Sequence, residues 1–429
     1  MDKMLYFRCY HITTHYLASF RCLFYFISIF SFGGSSSLSA QQIQDFYEIK
    51  GQSKEIDINF EYINNLIIVN ATFNGILPLR LVFDTGAEHS IIFDKIYTDA
   101  IGVDYDMRKV TIMGADFQSY IDAHIARNMT IDIGNIRAKY QNVLVTEQDY
   151  FQLSAYLGTT IHGILGADFI KNFVVKIDFR RNVISLSKEN LNPTKLRKFT
   201  KLPCQFHNNR PYLLPKINTI KNNDAVTMKL LMDSGAALSL LLTTNTAIPP
   251  KVVKGHIGFG LGGMVEGYLG RVDKLILHDE IVLQQLLTNF QEENKLTPKR
   301  DSSKQGIIGN LVLDKFTIII DYLNGNIYVK PNKGYNKVLK SDKSGLVIIA
   351  SGKKLTDFIV YDIISSSPAE EAKIQKDDII IKINSIPTTF YTLSEILGKF
   401  QGREGKKIKI TYLRNGIKRS TRLRLRTYI

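Results

Sequence analysis

Two short turns in the sequence each place a carboxylate directly after an apolar segment. Asp84 follows the apolar run 81–83 and Asp233 follows the run 230–232, and each is followed by a hydroxyl residue, a glycine and an alanine. Two carboxylates held about 3 Å apart do not ionise together easily, so such a pair shares one proton and provides a base and an acid at the same time. This is the chemistry that activates a water molecule for attack on an amide and protonates the leaving nitrogen.

A second pair of similar segments indicates that the two turns belong to an internal repeat. A single Asp-Thr-Gly or Asp-Ser-Gly tripeptide is an ordinary turn. Downstream of the turns, however, the segments 163–166 (GILG) and 306–309 (GIIG) begin runs that align without a gap as far as Ile184 and Ile327. We therefore interpret the chain as containing two copies of one lobe.

The elements that must position Asp84 form a predicted hairpin. Residues 66–73 and 79–83 have the apolar, β-branched character of strands, and the Asn-Gly pair at 74–75 is a strong hairpin turn signal. Beyond the turn, the apolar residues 90–93 are predicted to form a strand that leaves the site.

The second half repeats this plan around Asp233. Residues 211–220 and 226–232 are predicted to form a matching hairpin, joined by the polar turn 221–224. The apolar residues 239–242 are the corresponding strand that leaves the site.

These features resemble those of the pepsin-like and retroviral-type aspartyl proteases, in which one Asp-Thr/Ser-Gly turn from each lobe meets the other across a cleft. The segment 84–88 (DTGAE) is more similar to the retroviral branch. The resemblance implies a mainly β fold with two pseudo-symmetric acid-protease β-barrel lobes in one chain, at residues 45–190 and 198–330. It also implies an aspartic endopeptidase in which Asp84 and Asp233 are the catalytic pair.

The resemblance also gives supporting roles to residues around the two aspartates. The hydroxyl residues are expected to exchange crossed hydrogen bonds that lock the turns, and the turn glycines to let backbone amides approach the carboxylates. The last glycine of each GILG-type segment is expected on a strand that crosses beneath a turn, because a side chain would block so close an approach. Glu88 would support the first turn from outside the chemistry. The predicted supporting residues are Thr85, Gly86, Ser234, Gly235, Gly166 and Gly309.

Each half also contains a glycine-bearing segment that is a candidate for a flap closing over substrate. These segments are 110–116 and 258–264. The second satisfies the G-x-G-x-x-G pattern of dinucleotide sites, but such a site requires a helix next, and residues 265–270 are not typical of one. We expect no cofactor. The flap candidates are Met113, Gly114, Gly262 and Gly263.

The last part of the chain, residues 338–429, resembles a PDZ domain. The resemblance rests on residues 367–384 (SPAEEAKIQKDDIIIKIN), which match the bacterial pattern of a short helix, a turn and a strand that ends in Asn. It implies a groove-lining helix at 392–400, closing strands within 407–425, and a peptide C-terminus as ligand. A valine replaces the second glycine of the family's carboxylate-binding loop. The peptide-binding candidates are Gly345, Leu346, Val347 and Ile348.

Residues 1–40 have the pattern of a secretory signal peptide. Basic residues precede the apolar run 22–32, and small and polar residues follow it up to Ala40, where cleavage is expected. The run is shorter than the ~20 residues of a membrane-spanning helix, so a membrane anchor is the less favoured alternative. Cleavage would leave Cys204 as the only cysteine of the mature chain, which excludes an intramolecular disulfide. We predict an exported protein, periplasmic or secreted, from a bacterial host.

The composition is typical of a globular protein, with 45% hydrophobic and 22% charged residues among 429 and a net charge of +15. Much of the excess positive charge lies in residues 403–426, for which a nucleic-acid-binding patch is one interpretation. Alternation of basic and other residues at period two favours solvated faces of closing strands instead. We expect a peptide or unfolded protein as substrate, with no nucleic acid, no stable membrane span, no metal and a monomeric state. The alternative is a non-catalytic peptide-binding protein acting through the cleft and the PDZ domain.

Overall fold

The structure is a computed structural model, and it describes residues 46–51, 54–113, 120–219, 222–243, 249, 251–260, 263–292, 305–339 and 341–428. The predicted signal peptide and the flap candidates Gly114 and Gly262 lie outside these residues. The described residues are mainly in strands, and the strands form four sheets. The prediction of a mainly β fold is confirmed.

The first sheet, with nine strands, makes lobe 1. Its central hairpin delivers Asp84 as the sequence predicts, because Asn74 and Gly75 adopt positive φ angles, 50° and 71°, in the short loop between Phe73 and Leu77. The strands of this sheet are β1 (Tyr47–Ile49), β3 (Glu61–Ile63), β4 (Leu66–Phe73), β5 (Leu77–Phe83), β6 (Ile91–Ile92), β7 (Tyr105–Met113), β8 (Tyr120–Ile133), β9 (Ile136–Thr146) and β10 (Gly163–Leu165). Strand β10 lies between β5, to which it is parallel, and β6, to which it is antiparallel.

The second sheet, with ten strands, makes lobe 2. Its strands are β14 (Cys204–His207), β15 (Arg210–Leu213), β16 (Lys216–Thr219), β17 (Asn222–Thr227), β18 (Leu230–Met232), β19 (Leu240–Thr243), β20 (Val253–Gly260), β21 (Gly263–His278), β22 (Ile281–Gln291) and β23 (Gly306–Ile308). Strand β23 lies between β18, to which it is parallel, and β19, to which it is antiparallel. The surroundings of the two aspartates therefore have the same strand arrangement in both lobes.

A six-stranded sheet joins the two lobes, because each half of the chain contributes strands to it. Its strands are β2 (Glu55–Asn59), β11 (Val174–Asp178), β12 (Val183–Ser187), β13 (Thr200–Leu202), β24 (Phe316–Asp321) and β25 (Asn326–Pro331). The two halves meet where β11 pairs antiparallel with β24. All six residues of β24 are buried, which places this junction in the core of the molecule.

The PDZ region has a sheet and a hydrophobic core of its own. Its strands are β26 (Leu346–Ser351), β27 (Asp357–Ile363), β28 (Ile379–Ile383), β29 (Ile386–Pro387), β30 (Lys407–Arg414) and β31 (Ile417–Arg424). A helix lies at Leu393–Phe400, where the sequence predicts the groove helix, and it begins with a capping box between Thr392 and Glu395. Its apolar face is buried, since Leu393 and Ile396 belong to the core.

The remaining helices are short and connect strands. They are α1 (Lys95–Asp99), α2 (Leu153–Leu157), α3 (Ala167–Ile170), α4 (Pro193–Leu196), α5 (Asn310–Leu313) and α6 (Pro368–Glu371), and the groove helix is α7; a 3₁₀ turn lies at Thr388–Phe390. Among the described residues, none of the helices combines the length and the apolar character needed to cross a membrane.

The two segments predicted before Asp233 do pair as a hairpin, through β16 and β17, but each of them is interrupted. The segment 211–220 is divided into β15 and β16, and the segment 226–232 into β17 and β18. Pro215 lies at the first interruption, and it lacks the N–H that a continuous ladder requires, while its carbonyl accepts the amide of Met228 at 2.9 Å. The break lets β16 pair with β21 at the far end of the sheet, whereas β15 pairs with β18 beside Asp233.

Candidate active site

Each aspartate is fixed at the end of its strand by the parallel strand beside it. The backbone N–H of Asp84 donates to the carbonyl of Leu165 at 3.0 Å, and that of Asp233 donates to the carbonyl of Ile308 at 3.0 Å. In both lobes the acceptor is the last residue of the GILG-type strand, β10 or β23. The internal repeat thus supplies the same anchor twice.

The turn amides point at the carboxylates. Gly86 and Ala87 donate their backbone N–H groups to Asp84 Oδ1 at 2.7 and 3.1 Å, and Gly235 donates to Asp233 Oδ1 at 2.8 Å. Hydrogen bonds of this kind orient a carboxylate and favour its charged form.

Crossed hydrogen bonds lock the two turns together. The N–H of Thr85 donates to Ser234 Oγ at 3.0 Å, and the N–H of Ser234 donates to Thr85 Oγ1 at 3.1 Å. Each hydroxyl then donates back into the other lobe, Thr85 to the carbonyl of Met232 at 2.7 Å and Ser234 to that of Phe83 at 2.8 Å. Both hydroxyl residues are fully buried. The structure therefore brings together the two half-sites at the positions that the sequence predicts.

The turn glycines let the carboxylates lie side by side. A Cβ atom added at Gly86 would lie 2.5 Å from Asp233 Cγ, and one added at Gly235 would lie 2.3 Å from Asp84 Cγ. Each glycine is thus in contact with the carboxylate of the opposite lobe. No side chain fits in either place without moving an aspartate.

The pKa of Asp84 is raised well above its ordinary value of 3.8. Burial is the main cause, the charge of Asp233 is the next, and a hydrogen bond between the two carboxyl groups adds to it, while the amides of Gly86 and Ala87 act in the opposite direction. The pair therefore retains a proton at a pH where an isolated aspartate is ionised.

In lobe 1 the layer behind the turn is a Ser–Asp pair. Ser90 donates its N–H and its hydroxyl to the carboxylate of Asp168 at 2.9 and 2.7 Å, and it accepts the N–H of Gly166 at 3.0 Å. Gly166 lies between β10 and α3, and a Cβ there would be 2.5 Å from the backbone of His89, so the chain passes close to the segment after the turn at this point. Burial raises the pKa of Asp168, and the hydrogen bonds from Ser90 lower it.

In lobe 2 the corresponding layer is built around an amide. Asn310 is fully buried, and its Nδ2 donates at 2.7 Å to the carbonyl of Ser234 and at 2.7 Å to the carbonyl of Asn65 in lobe 1. Gly309 donates its N–H to the carbonyl of Ser239 at 3.0 Å, and its Cα lies close to the backbone at Leu238, where an added Cβ would be 2.4 Å away.

Sequence reasoning missed Asp168 and Asn310. The available signal is their position. Asn310 directly follows the segment 306–309, and Asp168 follows the segment 163–166 after one alanine, so each is a polar residue just beyond an apolar segment. Glu88 was predicted to support the first turn, and the structure places its carboxylate 3.2 Å from the Nδ2 of Asn208, which donates to it from lobe 2.

The two flap candidates are hairpins. In lobe 1, β7 pairs with β8 up to Met113 and Tyr120, and in lobe 2, β20 pairs with β21 up to Gly260 and Gly263. The G-x-G-x-x-G segment therefore leads into a strand and not into a helix. The roles of Met113 and Gly263 as flap residues stay predictions.

The PDZ candidates lie at the start of β26. The N–H of Gly345 donates to Asp342 Oδ1 at 2.7 Å, and the N–H of Leu346 donates to Ser344 Oγ at 3.0 Å, so two amides of the predicted carboxylate-binding loop already have partners. Val347 and Ile348 follow on the strand. Burial raises the pKa of Asp342 to about 6, against the effect of the Gly345 amide.

Cavities and metal-binding groups do not indicate another centre in the described part of the chain. A surface cavity of about 450 Å³ is lined by residues including Arg80, Asp132 and His162, and neither aspartate of the pair lies in its wall. Within the same residues, His, Cys, Asp and Glu side chains form no group of three or more that could hold a metal ion.

Two family models match parts of this chain. A family model described as an aspartyl protease matches residues 69–169, which include the first Asp turn and the GILG segment of lobe 1. A family model described as a PDZ domain matches residues 359–414. A search of curated proteins found no match. The chain therefore contains an aspartyl protease domain and a C-terminal PDZ domain, as the sequence predicts.

Proposed function

We propose that this protein is an aspartic endopeptidase in which Asp84 and Asp233 act as one catalytic pair. The observation that carries the proposal is the contact between the two turns: each turn glycine touches the opposite carboxylate, and the hydroxyls of Thr85 and Ser234 are crossed beneath them. The raised pKa of Asp84 supplies the shared proton that the chemistry requires.

Hydrolysis follows from this geometry. The ionised carboxylate takes a proton from a water molecule, whose oxygen bonds to the amide carbon, while the protonated carboxyl donates a hydrogen bond to the carbonyl oxygen. The tetrahedral intermediate then loses the amine as the C–N bond breaks and the nitrogen takes a proton from the pair. The two carboxyl groups exchange roles in each step, which requires the symmetrical support that both turns provide.

The substrates we propose are peptides or unfolded proteins, because an extended chain can add to the hairpin and strand edges beside the cleft. The PDZ domain would bind a further peptide by the same strand addition, with a peptide C-terminus as the expected ligand. We further propose that the protein is exported after removal of residues 1–40, to a periplasm or to the medium, and that it acts as a monomer without a cofactor.

The test is cleavage of a mixed peptide library by residues 41–429 between about pH 3 and 8. Asp84→Asn and Asp233→Asn are each expected to lower kcat/KM by about 10²–10⁴-fold or more, since either change removes the shared proton system. Asp279→Asn, in the exposed turn between β21 and β22, is the matched control and is expected to retain full activity. Because the pKa of Asp84 is raised, cleavage should persist at a pH well above 3.8 and fall when the pair loses its last proton.

Folded aspartate variants that cleave as fast as the wild type would contradict the proposal. If the wild type binds peptides without cutting them at any pH, the chain is instead a peptide-binding protein that acts through its cleft and PDZ domain.

A further inference from the structure

The resemblance to PDZ domains implies a peptide groove between β26 and the helix α7, and these two elements are in contact. Among the described strands, β26 pairs with β27 only, so its outer edge is the one to which a peptide would add. Leu393 of α7 and Ala350 of β26 are on the two walls, and each is only 1% exposed. Both side chains belong to the hydrophobic core of the PDZ region, and a segment from outside that region also covers them.

The cover is a segment of lobe 1. The helix α2 packs against β26, and the residue after it, Gly158, lies between the walls. A Cβ added at Gly158 would lie 2.6 Å from Leu393 Cβ and 3.7 Å from Ala350 Cβ. The backbone of this segment is thus in contact with the helix and the strand of the groove at the same point.

Polar and aromatic contacts hold the segment in place. The hydroxyl of Ser394 on α7 donates to Asn64 Oδ1 at 2.7 Å, and Asn64 Nδ2 lies 3.4 Å from the carbonyls of Tyr156 and Leu157. The ring of Tyr156 meets that of Tyr361 of the PDZ domain edge to face, with centroids 6.2 Å apart. Asn64 therefore ties the covering segment to the first turn of the groove helix.

The contact lies at the first residue of α7 and the next-to-last residue of β26, and it does not extend the sheet. Within the described residues, no backbone hydrogen bond joins β26 to residues 153–158. A peptide that added to the edge of β26 would form a ladder that the present occupant does not form.

We propose that the PDZ groove of this protein is occupied by its own lobe 1, at residues 156–158, and that a peptide ligand binds only by displacing this segment. The inference rests on the proposed peptide binding by the PDZ domain and not on hydrolysis. The displaced segment is four residues before β10, whose Leu165 carbonyl holds the amide of Asp84, and Asn64 precedes Asn65, whose carbonyl accepts the side-chain amide of Asn310. Peptide binding thus frees segments that adjoin both aspartate turns.

The test measures peptide affinity when the cover is weakened from the lobe 1 side, which leaves the PDZ domain itself unchanged. The probe is a fluorescein-labelled pool of random decapeptides with free apolar C-termini, measured by anisotropy on residues 41–429 carrying Asp84→Asn, so that no probe is cut. Tyr156→Ala removes the contact with Tyr361. Asn64→Gly removes both sets of Asn64 hydrogen bonds and suits the positive φ of 46° at this position.

Each variant is expected to bind the pool roughly 5–150-fold more tightly than the parent, which is the usual range for a coupling between two competing sites. Tyr140→Ala, at an exposed tyrosine of lobe 1, is the matched control and should leave the Kd unchanged. Saturation with the pool should also raise amide hydrogen exchange at residues 153–158 in the parent.

Equal Kd values in the parent and both folded variants would overturn the proposal, as would unchanged exchange at residues 153–158 on saturation or an absence of binding in all of them. These outcomes are independent of the cleavage assay, because the chain that is measured lacks a complete aspartate pair. A protein that binds as expected but never hydrolyses a peptide would retain this inference and lose the proposed function.

Discussion

The two lobes are nearly identical at the aspartate turns and different one layer behind them. At the turns, each lobe contributes an aspartate, a hydroxyl residue and a glycine with matching hydrogen bonds. Behind them, lobe 1 closes its support within itself through Ser90 and Asp168, whereas lobe 2 extends the side chain of Asn310 into lobe 1.

The ungapped alignment of the repeat explains how this difference arises. Asn310 aligns with Ala167 in lobe 1, and Asp168 aligns with Leu311 in lobe 2, so the polar residue has moved by one position between the copies. A shift of one residue at the start of a short helix turns the side chain to another side. The layer that touches the chemistry is thus symmetrical, and the layer that joins the lobes is not.

The symmetry of the turns gives the prediction with the largest expected effect. Gly86→Ala and Gly235→Ala each place a methyl group within 2.5 Å of the opposite carboxylate carbon, so one aspartate must move by about 1 Å. Both variants are expected to lose at least about 10²-fold in kcat/KM, to a similar extent. Steady-state kinetics on the mixed peptide library measures the effect.

Gly398→Ala is the matched control for this pair, because a Cβ at Gly398 meets nothing within 4 Å and lies on the PDZ groove helix. It is expected to leave kcat/KM unchanged. If one turn variant lost its activity and the other kept full kcat/KM, the result would contradict the functional symmetry of the two turns.

The difference between the lobes behind the turns predicts a smaller effect, on stability and on hydrogen exchange in one segment of lobe 1. Asn310→Ala removes the donor from the buried carbonyl of Ser234 and from the partly buried carbonyl of Asn65, and it should lower the free energy of unfolding by about 1–3 kcal/mol. Hydrogen exchange should rise at residues 64–66 of lobe 1 although the substitution is in lobe 2. Asp168→Asn disturbs the hydrogen bonds from Ser90 and should leave exchange at residues 64–66 unchanged.

Exchange that rises at residues 64–66 in both variants, or in neither, would show that Asn310 is not the cross-lobe connection. Denaturation with urea, followed together with exchange, separates this local effect from a general loss of stability in either variant.

The symmetrical layer could be predicted from the sequence, because each of its parts is a short local signal. The turn at 84–86, the hairpin turn at 74–75 and the GILG-type segments all act through neighbouring backbone, and the structure places them as predicted. The PDZ domain was predictable for the same reason, since residues 367–384 carry its helix, turn and strand in one run.

The asymmetrical layer could not be predicted, because its partners are far apart in sequence. Nothing near Asn310 indicates that its amide reaches Asn65, and nothing near Gly158 indicates that the PDZ groove closes on it. The interruption at Pro215, by contrast, has a local signal, because proline lacks the backbone N–H of a strand ladder. Long-range packing decides such contacts, and a sequence pattern reports only local preferences.

A second connection from lobe 2 to lobe 1 gives a pH-dependent prediction. The hydroxyl of Tyr62 in lobe 1 donates to Asp314 Oδ2 at 3.3 Å, and the aligned position in lobe 1 is Lys171, so this contact also lacks a symmetrical copy. Burial raises the pKa of Asp314 to about 6 from its ordinary value of 3.8, while the charge of Lys315 and the hydrogen bond from Tyr62 lower it.

The sign of the expected effect follows from proton binding. Between pH 3.8 and about 6 the folded state binds the Asp314 proton more tightly than the unfolded chain does, so the contribution of this group to stability is largest below pH 3.8 and falls as the pH rises to about 6. Over that range we expect the free energy of unfolding to fall by roughly 1–3 kcal/mol. Partial exposure of Asp314 to solvent makes this fall smaller than a fully buried group would give. Urea denaturation at several pH values measures it, and Asp314→Asn should remove this part of the pH dependence. Tyr62→Phe removes a donor that favours the ionised carboxylate of Asp314, so it should make the free energy of unfolding depend more steeply on pH. A shallower pH dependence in that variant would contradict the assignment of this effect to Asp314.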